Sequence, residues 1–251
     1  MTDADKAQYW DQWAEHYDDQ WRQVDPTDAV TFLHAQASGG TALELGVGTG
    51  RVAVPLAEKG LHIDAVELSP GMAQKLQDKA GSLPIRVVMG DMTDPPVQGP
   101  YELVYCVFNT FMELTTQELQ LRCFENVSRL LQPGGRFVLE TMMPSGGKLM
   151  ESRQQLAIRE LSSSHLSISA LLHDPAQQRI EFQEVHIDEN GIRLLPVSER
   201  YVWPSELDLM AKLAGLQKVS RTSNWLGGRF DGASRSAISV FCKPVNRESP
   251  S

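Results

Sequence analysis

The sequence predicts an α/β fold built on a doubly wound, mostly parallel sheet, and three observations carry that expectation. From residue 41 onward, short apolar runs alternate with helical stretches across short connections. A glycine-rich turn stands between the first run and the first of those helices. Beyond Ser145-Gly146-Gly147 the pattern changes to apolar runs separated only by turn signals, which reads as a small antiparallel β insertion. Repeated strand–helix alternation places strands side by side in one direction, with helices on both faces.

Each element follows from its own segment. The opening DKAQYWDQWAEHYDDQW reads as helical, with Tyr9, Trp10, Trp13 and Tyr17 close together on it. TALEL is a strand and RVAVPLAEK a helix; LHIDAVEL is a second strand, followed by the helical PGMAQKLQDKA, which stops at Gly81 as a C-cap. PIRVVMG and YELVYCVF are the third and fourth strands. In TTQELQLRCFENVSRLL the apolar residues Leu119, Phe124, Val127, Leu130 and Leu131 recur at near-helical spacing; Thr115 or Thr116 caps this helix and Pro133-Gly134-Gly135 ends it before the strand GRFVLET. Three insertion strands are expected in SHLSISALL, RIEFQEVHI and IRLLPVSERYVW, with HDPAQQ and DENG as the turns between them. A helix, PSELDLMAKLA, and two last strands, LQKVSR and AISVFCK, return to the main sheet, and the tail NRESPS is expected to fray. The expected organisation is a helical segment over 1–40, a core over 41–147 and 204–243, and the insertion over 148–203.

The chain has 251 residues, 41% hydrophobic and 22% charged, with a formal net charge of -9. That length suits one domain with an added lobe. The negative balance argues against a phosphate-backbone partner, which requires clustered Lys and Arg, so no nucleic-acid partner is expected. Asp3, Asp5, Asp11, Glu15, Asp18 and Asp19 make the N-terminal arm still less suited to one. Cys106, Cys123 and Cys242 leave one cysteine over in any pairing, and Cys106 in its apolar run reads as a buried reduced thiol. No metal-ligand spacing is evident, so a structural zinc is not expected. No apolar stretch reads as a signal peptide or reaches the roughly 20 residues of a membrane span, and a reducing cytoplasm is the expected location.

The segment Glu44-Leu45-Gly46-Val47-Gly48-Thr49-Gly50-Arg51 is the most informative. Glycines there let a ligand approach the backbone at the carboxyl end of the first strand, the usual crevice of such sheets. A dinucleotide site calls for G-x-G-x-x-G; here the glycines fall at G-x-G-x-G and Arg51 takes the place of a closing glycine, a register that disfavours a pyrophosphate. The second strand ends at Glu67, whose carboxylate can accept from both hydroxyls of a ribose. The third ends at Gly90-Asp91-Met92, where Asp91 can accept from an adenine amino group while Leu68 and Met72 or Met92 sandwich the ring. Singly, each has a plain structural reading as a loop or cap residue. Together they describe a slot for an adenosine carrying a cationic or zwitterionic tail.

Here the sequence resembles the class I S-adenosylmethionine-dependent methyltransferases. ELGVGTGR is similar to their first motif, VELSPGM to the acidic second (commonly Asp where this chain has Glu67) and GDMTD to the third, and LLQPGGRFVLE resembles the segment entering their fifth strand. The likeness spans residues 9–142 and the terminal strands. It implies a seven-stranded Rossmann-like sheet with an antiparallel last strand, S-adenosylmethionine as cofactor, and transfer of its methyl group to a small molecule, at nitrogen or oxygen. It further implies that Glu44, Gly46, Gly48 and Gly50 lie at the methionine part, Glu67 at the ribose, and Asp91 and Met92 at the adenine; Arg51, Leu68 and Met72 are also expected among the cofactor contacts. Tyr17, in a lid-like segment, and Phe108 complete the expected cofactor contacts.

The same resemblance makes the insertion the cover of the acceptor site, and a surface for pairing with a second copy. Tyr17, Asn109, His186, Tyr201, Trp203 and Trp225 are the acceptor-site candidates, with Asn224 beside them. His186 has a plain alternative as a surface or satisfied core residue, and the tryptophans as pins for a terminal helix. Asp94-Pro95-Pro96-Val97 precedes the fourth strand and lacks an aromatic, so it is not the motif of enzymes acting on DNA bases, and no Asp follows the fourth strand to hold magnesium. No secure strong base is evident for a hydroxyl acceptor, which tilts the reading towards an amine. Competing readings are methylation of a peptide or protein terminus and a non-catalytic cofactor-binding relative; an NAD-dependent dehydrogenase is remote.

Overall fold

The computed structural model describes residues 3–37, 39–144 and 153–245. The Ser145–Gly147 junction, the first residues of the expected insertion and the tail from 246 lie outside these.

The first helical segment is two helices, α1 (Asp3–Ala14) and α2 (Tyr17–Gln20), and a third, α3 (Thr27–Gln36), follows. Separate anchors hold the first two. Asp11 of α1 accepts from Ser69 Oγ at 2.5 Å and from the Gly71 amide at 2.7 Å, whereas Asp18 of α2 accepts from Thr49 Oγ1 at 2.6 Å. Tyr9 and Trp13, one turn apart, bury the same face of α1.

The main sheet contains β1 (Thr41–Leu45), β2 (His62–Glu67), β3 (Ile85–Met89), β4 (Tyr101–Cys106), β5 (Leu131–Met142), β10 (Gln217–Thr222) and β11 (Ser236–Cys242). Their order is β10-β11-β5-β4-β1-β2-β3. β1 to β5 pair in parallel, and β11 runs antiparallel to both β5 and β10. This is the expected seven-stranded, mostly parallel sheet with an antiparallel last strand. Strand order reverses at β1, which has β2 on one side and β4 on the other. The carboxyl ends of these strands therefore bound the crevice in which ligands of such sheets sit.

Helices α4 (Ala53–Glu58), α5 (Pro70–Ala80), α6 (Gln117–Leu130) and α7 (Pro204–Leu213) complete the two flanking layers. Ser69 caps α5 by accepting the Met72 amide, with Pro70 in its first turn, and Thr116 rather than Thr115 caps α6. One sheet face packs around Phe124, whose ring meets Phe111, Phe137 and Phe241 edge-on at centroid distances of 5.6, 5.2 and 5.4 Å. The other face buries Leu33, Leu56, Ile63, Leu76 and Tyr105. β5 starts before Pro133-Gly134-Gly135, not after it. The ladder with β4 shifts register there, from Tyr101↔Leu131 to Leu103↔Arg136, so the glycines form an irregularity inside the strand.

A second sheet has four antiparallel strands, not three: β6 (Gln154–Leu161), β7 (His165–Asp174), β8 (Arg179–Asp188) and β9 (Gly191–Arg200). The added strand is an edge with nearly every side chain exposed, so it lacks the alternating burial that marks the others. In the β8–β9 hairpin Asp188 pairs with Gly191 across Glu189-Asn190, as the DENG turn predicts. The inner face of this sheet, carrying Ile180, Phe182, Leu195 and Val197, packs on α1 and on the 3₁₀ turn Thr110–Glu113 that follows β4. No helix among the described residues is long and apolar enough to cross a membrane.

Candidate functional site

The strand-order reversal opens into a cleft with about 630 Å³ of atom-free space, lined by Trp10, Tyr17, Gly46, Gly48, Val66, Glu67, Leu68, Met72, Gly90, Asp91, Met92, Thr110, Glu113 and Leu114. The first loop meets the second strand at its floor. Gly48 donates its amide to Glu67 Oε2 at 2.7 Å, and Glu67 Oε1 accepts the Leu68 and Ser69 amides at 2.9 Å each. Burial pushes the Glu67 carboxyl up, against the pull of these three donors. Of the roughly four lone-pair directions of a carboxylate, three are engaged by backbone. Glu67 is fixed in place while part of its accepting capacity remains.

The glycines divide into two roles. A Cβ on Gly46 would come within 2.3 Å of Thr110 Cγ2, and one on Gly50 within 2.3 Å of Leu76 Cδ1, so both admit close packing of the loop. A Cβ on Gly48 would meet nothing within 4 Å, and its φ is +59°. That position is open towards the cleft and held in a backbone conformation that glycine adopts without strain.

These features fit an adenosine-type group. The carboxylates of Glu67 and Asp91 line the cleft as acceptors for hydroxyl or amino donors, with Glu113 a third at its edge bonded to Trp10, and Leu68, Met72 and Met92 supply apolar walls. None of the described residues lining it is Lys or Arg, so nothing there neutralises a pyrophosphate.

Two further lining residues come from the N-terminal helices. Trp10 and Tyr17, whose rings meet edge-on at 6.1 Å, both line the cleft. Trp10 also donates its indole N–H to Glu113 Oε2 at 2.8 Å. Burial, with Glu113 and Glu67 adding to it, raises the Tyr17 hydroxyl pKa, against the lowering effect of Arg51; its phenol stays neutral near pH 7.

Of the expected cofactor contacts, Tyr17, Gly46, Gly48, Glu67, Leu68, Met72, Asp91 and Met92 line this cleft, and Glu44, Gly50, Arg51 and Phe108 do not. Strand alternation turns Glu44 to the other side of the sheet from Leu43 and Leu45, where its carboxylate accepts the Tyr105 phenol at 2.8 Å and the Ala53 amide at the start of α4. Full burial pushes its carboxyl up to about 8. Arg51 stacks on the Phe108 ring, 4.2 Å from its centroid, in a neighbouring crevice that Glu140 and Trp225 also line.

The acceptor candidates are likewise scattered. Asn109 does not line the cleft; with Phe108 it takes a left-handed conformation, φ 66° and 56°, and its carbonyl accepts the Met112 amide to start the 3₁₀ turn. Two consecutive side-chain-bearing residues in this region carry backbone strain. The Phe108 amide donates to Glu140 Oε2 at 2.6 Å, which holds that turn. Trp225 donates to Glu140 Oε1 at 3.2 Å and packs on Phe32, and Asn224 ties its own turn through the Leu226 and Gly228 amides. His186 stands behind Trp13, stacked on His165 with 3.2 Å between ring nitrogens, and burial lowers its pKa. Tyr201 is buried against His173, and Trp203 packs on Tyr201.

Trp10 is one of the N-terminal rings that the sequence brings together, whereas Thr110, Glu113 and Leu114 were not singled out by sequence reasoning. Their signal was present but local: a short polar-apolar run directly after the fourth strand, at the end of the sheet where the other motifs converge.

Comparison with known proteins agrees with this geometry. A family model described as a methyltransferase domain matches residues 42–135. The solved structure of the CcbJ methyltransferase from Streptomyces caelestis is 37% identical and superposes with a TM-score of 0.87, covering 94% of this chain and 98% of that one. The cypemycin N-terminal methyltransferase of a Streptomyces species is 26% identical over 83% of this chain and 85% of its own. A methyltransferase structure from Clostridium acetobutylicum shares the fold at 15% identity, with a TM-score of 0.82 over 93% of this chain and 98% of that one. The chain belongs to the class I S-adenosylmethionine-dependent methyltransferases, with S-adenosylmethionine as its methyl donor.

Proposed function

We propose that this enzyme methylates a nitrogen on a small molecule. The observation that carries the reading is the pair of rings at the cleft: Trp10 and Tyr17 of the N-terminal helices line it, and the second sheet packs on the first of those helices with its inner face. A ring-lined cleft beneath a second sheet suits a compact metabolite. In this reading residues 1–40 are the lid and the second sheet is the roof of the acceptor space. Glu67 holds the ribose hydroxyls, Asp91 the adenine amino group, and Gly48 lets the donor's backbone-facing part approach. S-adenosylmethionine supplies a methyl group already activated by its positive sulfur. The chain's own residues orient the acceptor nitrogen, and their apolar walls exclude water, which favours loss of charge at sulfur.

A second reading is methylation of a peptide amino terminus, and the likeness to the cypemycin N-terminal methyltransferase favours it. Both readings place an amine at the site. The outer face of the second sheet, with Leu156, Ile158, Leu172, Ile192 and Leu194 exposed, is the surface through which a second copy pairs in this proposal. Incubating the enzyme with methyl-labelled S-adenosylmethionine and separate pools of small amines, small alcohols and short peptides, followed by mass spectrometry, tests the assignment. Label is expected in the small amines; label confined to alcohols or peptides overturns it.

A further inference from the structure

The inner face of the second sheet carries two carboxylates that none of the features above uses. Register places them: Glu184 of β8 lies opposite Leu195 of β9, and Glu199 of β9 lies opposite Ile180 of β8. Leu195 packs with Tyr9 and Trp13 of α1, while Ile180 packs with Met112 of the 3₁₀ turn. Both acids therefore face the space between the roof, the N-terminal helix and the turn that carries Glu113. Tyr9, whose ring lies 4.7 Å from that of Trp10, packs in one cluster with Met72 of the cleft and Leu195 of the second sheet. The Tyr9 hydroxyl feels the negative charge of Glu113, Glu184 and Glu199 together, from three separate elements.

Glu199 is the most informative of them. It is half-buried on the inner face of β9, with protein packed around it. Its carboxylate has no hydrogen-bond or ion-pair partner among the described residues, and burial alone pushes its carboxyl up to about 7. An enclosed carboxylate without a partner is costly, and natural sites keep one where a cation or donor joins it.

We propose that the acceptor is a basic amine that enters as a cation and pairs with Glu199 beside the rings of Tyr9 and Trp10, while Glu184, beyond the Phe182–Val197 pair on the same face, adds its negative charge. This rests on the nitrogen-directed reading above and names the substrate class. Opposite charge in a partly desolvated space favours the ammonium form, and aromatic faces add to it. For transfer, the ammonium gives a proton to the Glu199 carboxylate, and its freed lone pair forms the new nitrogen–carbon bond. The carbon–sulfur pair withdraws onto sulfur, leaving an N-methylated ammonium product and a neutral thioether.

Binding of benzyltrimethylammonium, a cation that cannot accept a methyl group, to enzyme saturated with S-adenosylhomocysteine tests the subsite by calorimetry, with benzyl alcohol as the neutral comparison. The cation is expected to bind at least tenfold more tightly than the alcohol. Glu199→Gln and Glu184→Gln are each expected to weaken it at least fivefold, with S-adenosylhomocysteine affinity unchanged as proof that the fold and donor site persist. Equal binding of the two probes, or unchanged cation affinity in both variants, overturns the subsite. The labelled-methyl assay reports separately on the nitrogen-directed reading, because label found only in alcohols removes that reading whatever the probes do.

Discussion

Trp10 of the first helix donates its indole N–H to the Glu113 carboxylate at 2.8 Å, across 103 residues of sequence. The bond joins the first helix to the 3₁₀ turn after β4, and both residues line the cleft. A hydrogen bond to a charged group contributes about 1.5–3 kcal/mol. Glu113→Ala is expected to lower kcat/KM roughly tenfold or more, and Glu113→Gln, which keeps an accepting oxygen, to lose less. Steady-state kinetics on both variants checks this; equal losses would show that charge, and not the bond to Trp10, is what matters.

The N-terminal helices have two further ties. Asp18 accepts from Thr49 Oγ1 and pairs with Lys79 Nζ at 2.6 Å, and Asp11 bridges Ser69 and the Gly71 amide. The Asp18–Lys79 pair is largely exposed, so its worth is small and salt-sensitive. Asp11→Ala is expected to raise KM for S-adenosylmethionine several-fold with little change in thermal midpoint, and Asp18→Ala to do so more weakly. A large fall in midpoint would mean that these residues hold the fold and not the lid.

Glu44 ties stability to pH. Its carboxyl is pushed from 4.5 to about 8 by burial, so the folded chain binds one more proton than the unfolded chain between those values. Stability from this group is thus fully present below about pH 4.5 and is lost as pH rises towards 8. Glu44→Gln is expected to flatten that limb of the denaturation-midpoint profile, so that the variant gains relative to wild type as pH rises from 6 to 9. A parallel pair of profiles would contradict the assignment.

Phe124 tests the core beneath the site. It sits fully buried among three other rings, and Phe124→Ala is expected to cost about 3–5 kcal/mol in denaturant unfolding. A cost under 1 kcal/mol would mean that this face of the sheet repacks freely.

The parallel core was legible because each element carried its own punctuation: Ser69-Pro70 before α5, Gly81 after it, and the apolar stripe of α6. Glu67 and Asp91 were legible because a strand's end fixes where its next residue goes. Glu44 was not, since alternation along β1 sends a residue one position away to the opposite face. Phe108 and Asn109 depart from expectation through a left-handed turn that nothing in Phe-Asn announces. β6 was missed because an exposed edge has no buried side to impose a period of two. The Trp10–Glu113 bond and the pair Glu184 and Glu199 depend on how two sheets and a helix come together, which local pattern does not encode.

Titration of S-adenosylhomocysteine into wild type, Glu67→Gln and Gly48→Val by calorimetry reaches the centre of the account. With circular dichroism showing each variant folded, affinity is predicted to fall at least tenfold in both, because one loses a fixed carboxylate at the cleft floor and the other fills its open wall. Folded variants that bind as tightly as wild type would place the donor somewhere other than this cleft.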